Sequence, residues 1–167
     1  NEFFVKKWLK QNQFWYVTSH MLIIPLVDVF ASGFDWLLDK ATVPVGLAFF
    51  FAVSFMNGIV LEIGRKIKAP EQEEKGVLSY TFQLGTKHAV VFWIFILFLT
   101  LLLAAAASYY AGHSAGTYLA LIAVFLVCSF PAFLFLNKQT ARYGKLIEYS
   151  SELWTFAMYL IFVGIPM

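Results

Sequence analysis

The chain has 167 residues, 60% of them hydrophobic and 13% charged, with a formal net charge of +2 and a mean hydropathy of +0.73. That composition excludes an ordinary soluble domain, whose apolar share is nearer ~45–50%, and points to an integral membrane protein. The small net charge, with no long basic run interleaved with stacking aromatics, excludes a nucleic-acid surface, and the single cysteine, Cys128, excludes an internal disulfide.

The chain opens on NEFFVKKWLKQN, which carries Lys6, Lys7 and Lys10 and fits neither a signal peptide nor a targeting segment. Met167 closes a last apolar run, so residues 1–167 read as a single membrane-domain fragment of a longer protein. Five apolar runs follow one another: Gln13 to Ser32, Val43 to Leu61, His88 to Ala111, Thr117 to Leu136 and Leu153 to Pro166. Each but the last approaches the ~20 residues that cross a hydrocarbon core as a helix. The runs are continuous and do not alternate, and backbone in lipid must satisfy itself within each segment, so helices are expected and strands are not. The expected fold is an all-α polytopic bundle of five spans.

Within the spans, Pro25 and Pro131 are expected to kink their helices, Ala104 to Ser108 to allow close packing, and His20 and Asp28 to serve packing or the interface. Gly112 to Gly116 spells G-x-S-x-G, but a nucleophile elbow needs a strand before the turn, and here the pentapeptide joins two helices. Lys138, Arg142 and Lys145 form a basic stripe at helical spacing, expected as an amphipathic connector lying on anionic lipid between Asn137 and Ser151.

Basic residues divide unevenly between alternate loops. Lys6, Lys7, Lys10, Arg65, Lys66, Lys68, Lys75, Lys87, Lys138, Arg142 and Lys145 fall on one side, and Lys40 on the other. The positive-inside rule makes the crowded side cytoplasmic, together with the amino end.

The stretch NGIVLEIGRKIKAPEQEEKGVLSYTFQLG, Asn57 to Gly85, concentrates the chemistry. If the second span stays helical until Pro70 stops it, then Gly58, Glu62, Arg65, Lys66 and Ala69 share one face. Glycine admits a close neighbour, Glu62 offers oxygen ligands to a hard cation such as Mg2+, and Arg65 and Lys66 can neutralise phosphate oxygens. The bland reading of Glu62 and Lys66 is a surface i,i+4 pair. Asn57, inside the span, suits a polar cavity. Glu71, Glu73 and Glu74 form an acidic cluster that could bind a second cation or simply be solvated.

That stretch, with EFFVKKWLKQN and SHMLIIPLVDVFASGFDW before it, resembles the UbiA superfamily of intramembrane prenyltransferases, in its bacterial branch. The resemblance covers most of residues 2 to 88. It implies helices five to nine of a nine-helix fold in a bacterial inner membrane, the amino-terminal half being elsewhere in the same protein. It also implies transfer of an isoprenoid group from an allylic diphosphate to an aromatic or other lipophilic acceptor. In that family's terms Glu62 is the catalytic carboxylate and a Mg2+ ligand with Glu71, Glu73 and Glu74, while Arg65, Lys66, Asn57, Lys7 and Lys10 bind the diphosphate. The usual D-x-x-x-D spacing is replaced here by Glu62 followed by Lys66, and the first acidic motif is absent from this chain, so the fragment alone is expected to be inactive. The rival expectation is a non-catalytic or transporter-like membrane protein that binds a divalent cation through Glu62 and its neighbours.

Overall fold

The computed structural model describes residues 12–38, 42–73 and 79–164, and all regular structure among them is helical. In chain order the helices are α1 (Gln13–Met21), α2 (Ile23–Leu38), α3 (Val45–Arg65), α4 (Tyr80–Leu84), α5 (Thr86–Tyr110), α6 (Ala115–Asn137) and α7 (Ala141–Gly164), with one 3-10 turn at Pro70–Gln72. Four stretches are long and apolar enough to cross a membrane: Trp15–Phe34, across the α1–α2 junction, and the helices α3, α5 and α6.

The first span is interrupted where proline chemistry places the break. Pro25 has no N–H for the carbonyl of Met21, and its ring presses on that turn; the helix yields at Leu22, between α1 and α2. Pro131, by contrast, sits inside α6 without interrupting it.

α3, α5, α6 and α7 close into a four-helix bundle, each packed on the next and α7 packed back onto α3. The α1–α2 pair lies outside this ring, against α3. Trp93 and Trp154 are completely buried in the bundle with Val60, Leu97, Leu121 and Phe135. Buried indoles need acceptors. Trp93 Nε1 donates to the Val60 carbonyl at 3.3 Å and to Ser151 Oγ at 3.1 Å, and Trp154 Nε1 donates to Asn57 Oδ1 at 3.1 Å.

Two expectations are corrected. The connector and the short last span are one helix, α7, running unbroken from Ala141 to Gly164. Nothing between Ser151 and Leu153 stops it, because Ser151 and Thr155 return their hydroxyls to carbonyls one turn back, at 3.0 Å each. α7 lies antiparallel to α3 along much of its length, from Lys68 near Glu148 through Asn57 on Trp154 to Ser54 on Tyr159.

The second correction concerns the end of α3, which stops at Arg65 and not at Pro70. The cause is tertiary: Tyr80 N donates to the Lys66 carbonyl and Thr81 Oγ1 accepts from Lys68 N, so the segment around α4 claims the backbone that another helical turn would need. Ala69 therefore leaves the face it was expected to share with Glu62.

The α3–α7 contact depends on Gly64. A Cβ built there would stand 3.0 Å from the Ser151 Cβ and 3.1 Å from the Trp93 indole nitrogen, and would collide with Ser151 Oγ. Gly64→Ala is expected to destabilise the bundle by about 1–3 kcal/mol, the usual range for overpacking. Ser151→Gly added to it should recover part of the loss. Unfolding in detergent by tryptophan fluorescence measures both.

Candidate functional site

The charged end of α3 borders a cavity of about 320 Å³ whose wall includes Met21, Gly58, Glu62, Arg65, Glu148 and Glu152. Three elements build it. Gly58 brings the α1–α2 junction close, since a Cβ there would lie 2.7 Å from Met21 Sδ and 2.8 Å from Ile24 Cδ1. α3 contributes Glu62 one turn further on, and α7 supplies Glu148 and Glu152, themselves one turn apart.

Glu62 is buried, and a buried carboxylate must be compensated. Both its oxygens are: Oε2 accepts from the Arg65 guanidinium, and Oε1 lies 2.7 Å from Lys66 Nζ. The cations come from the next turn of the same chain, so this triad forms wherever the helix end forms. The Arg65 side chain remains 62% exposed, so it stays accessible to another anion. Across the cavity Glu148 pairs with Lys145 at 2.8 Å and sits 3.9 Å from Lys68. Among the described residues Glu152 has no ion-pair partner.

The structure thus brings Glu62, Arg65 and Lys66 together and places Asn57, Glu71 and Glu73 elsewhere. Asn57 faces α7, where Trp154 occupies its oxygen and its Nδ2 is buried without a partner; it does not line the cavity. Lys7, Lys10 and Glu74 lie outside the described residues.

Glu71 and Glu73 do not line the cavity either. Glu71 Oε1 accepts from Ala141 N at 2.9 Å, satisfying an orphan amide in the first turn of α7. Glu73 accepts from Ser79 Oγ at 2.7 Å and from Thr81 Oγ1 at 2.6 Å, and Ser79 Oγ in turn accepts from Phe82 N at the start of α4. Among the described residues no three His, Cys, Asp or Glu side chains are grouped so as to hold a metal ion. Of the four carboxylates expected for Mg2+, Glu71 and Glu73 are hydrogen-bonded around the loop and Glu62 is paired with its own cations, while Glu74 lies outside the described residues.

Glu148 and Glu152 are the cavity residues that sequence reasoning missed. Their i,i+4 spacing was visible, but they straddle Ser151, where a connector was expected to end and a span to begin. Tyr80 is a further neighbour of the site. Burial, with the Glu62 charge adding to it, pushes its phenol up to about 12, so it keeps its proton throughout the physiological range. The chain matches no protein-family model, no curated protein and no solved structure.

Glu73→Ala should lower stability by about 1–3 kcal/mol, the cost of stranding partly buried hydroxyls. It should leave divalent-cation affinity unchanged, and so should Glu71→Ala. Thermal unfolding and a Mn2+ titration followed by electron paramagnetic resonance separate these loop roles from metal ligation.

Proposed function

We propose that the chain is the carboxy-terminal part of a UbiA-type intramembrane prenyltransferase, and that the cavity beside Glu62 receives the diphosphate of an isoprenyl donor. The observation that carries this reading is a largely exposed Arg65 in the wall of a cavity at a helix end, with Lys66 beside it and both cations held by one buried carboxylate. In this reading α7 is a fifth span, because it accompanies α3 along much of its length. The charged end faces the cytoplasm, where the positive-inside rule places it, and the membrane is a bacterial inner membrane.

Prenyl transfer asks for charge stabilisation at a leaving group. The allylic C–O bond breaks with its electron pair going to the diphosphate oxygen. The resulting allylic cation is captured by a nucleophilic carbon or heteroatom of a lipophilic acceptor, which then loses a proton. Arg65 and Lys66 oppose the charge growing on the diphosphate, and they do so more strongly at a low-dielectric membrane edge than in water. Glu62 holds the two cations in place before the donor arrives. The family resemblance also implies Mg2+, but the carboxylates described here do not build a Mg2+ centre, and donor recognition is assigned to the cations.

A second reading has its own support. The Glu62 triad is internally complete, as expected of a structural ion cluster in a non-catalytic or transporter-like membrane protein.

Arg65→Ala and Lys66→Ala should each weaken binding of farnesyl diphosphate to the whole protein by roughly tenfold or more, the worth of a charge-assisted hydrogen bond. Glu62→Gln should retain donor binding and lose turnover. Calorimetric titration reads the first effect and a radiolabelled transfer assay the second. Unchanged affinity in the Arg65→Ala, Lys66→Ala double variant would favour the non-catalytic reading.

A further inference from the structure

Two cavities that share Tyr80 and Phe92 in their walls, one of them bordered by a different face of α3, are not used by the diphosphate reading. The upper one, about 560 Å³, has Asn12, Gln83 and His88 in its wall beside Trp15. The lower one, about 250 Å³, lies between α1, α3 and α5 and is walled by Phe55, Ile59, Ile96 and Leu99 among other apolar side chains. Tyr80 and Phe92 belong to both walls.

The two cavities form one graded path. On α5, His88, Phe92, Ile96 and Leu99 fall at i, i+4, i+8 and i+11, a single stripe that starts polar and turns wholly apolar. From His88 to Leu99 it descends roughly 16 Å at 1.5 Å per residue. α3 answers with Ile63, Ile59 and Phe55, one turn apart. A hydrocarbon chain is the occupant such a stripe can cover along its whole length.

The head is defined by what surrounds it. Among the described lining residues of both cavities there is no Lys, Arg, Asp or Glu, whereas the Glu62 cavity carries Arg65 and three carboxylates. An anionic head moved to the membrane edge would need a cation; an alcohol, phenol or amide needs only a donor and an acceptor, which the His88 imidazole and the Tyr80 phenol provide. Tyr80 stays protonated and can donate from the shared wall.

We infer that the paired cavities between α1, α3, α4 and α5 bind a single-chain amphiphile with an uncharged, hydrogen-bonding head placed by His88 and Tyr80 and its chain lying along Ile59, Ile96 and Leu99. The inference does not rest on the diphosphate reading, since Glu62, Arg65 and Lys66 line neither cavity.

The test uses the protein in lipid nanodiscs with two photoreactive probes, hexadecanol and hexadecyl phosphate, each carrying a diazirine near the end of its chain. Crosslinked residues are mapped by mass spectrometry. The alcohol should label Ile59, Ile96 and Leu99 severalfold more than the exposed α5 residues Phe95 and Phe98, and the phosphate should show no such preference. Ile96→Trp should fill the lower cavity and abolish the preference while Phe95 and Phe98 label as before. His88→Leu, an exposed change at the mouth that spares the packing, should reduce it as well. Labelling of the groove by the alcohol no stronger than that of Phe95 and Phe98 overturns the site. Equal groove labelling by both probes overturns the uncharged head.

Discussion

The close approach of α3 to α7 at Gly64 and Ser151 sets the geometry of everything at the charged end of the molecule. Lipid tails are as apolar as the helices they surround, so little hydrophobic force drives spans together, and packing with interhelical hydrogen bonds must do it. Gly64 gives the backbone approach, and the Trp93 indole fixes the register by bonding α3 and α7 at once. Trp154 on Asn57 and Tyr159 near Ser54 extend the same register along the pair. A slip of one turn would strand these buried polar groups, each a costly loss away from water. Because the register is fixed, Glu148 and Glu152 arrive opposite Glu62.

Gly58 plays the corresponding part on the other side. It admits Met21 and Ile24 into contact with α3, on which both α1 and α2 pack. The α1–α2 pair becomes a partition. On one side lies a cavity walled by charges, on the other a graded pair of cavities whose described walls carry no charged side chain, and Tyr80 stands near both. A membrane protein that handles a charged and a neutral amphiphile has a use for two such compartments.

The acidic loop shows how a cluster that looks catalytic can be structural. Glu71 and Glu73 are separated by one residue and follow a conspicuous carboxylate, which is what a metal motif would resemble. Glu71 instead completes the first turn of α7, and Glu73 gathers the hydroxyls that start α4. A helix start with exposed amides and two nearby hydroxyls competes for carboxylates as effectively as a cation would, and spacing along the chain does not reveal which competitor is within reach.

The sequence by itself determined the helices, the ends of most spans and the Glu62–Arg65–Lys66 triad, because these depend on hydrophobic run length and on neighbours three or four residues apart, which the period of the helix alone places together. The continuity of α7 was missed because charged Glu148 and Glu152 break an apolar run without breaking a helix. Only the tertiary structure decided where α3 stops, which way Asn57 faces and what Glu71 and Glu73 hold. Most of these depend on a partner far along the chain, Tyr80 and Thr81 for the end of α3, Trp154 for Asn57 and Ala141 for Glu71, and Glu73 depends on how its loop turns back to Ser79 and Thr81. Hydrogen bonds between distant residues follow from how the helices pack, and periodicity carries no record of that packing.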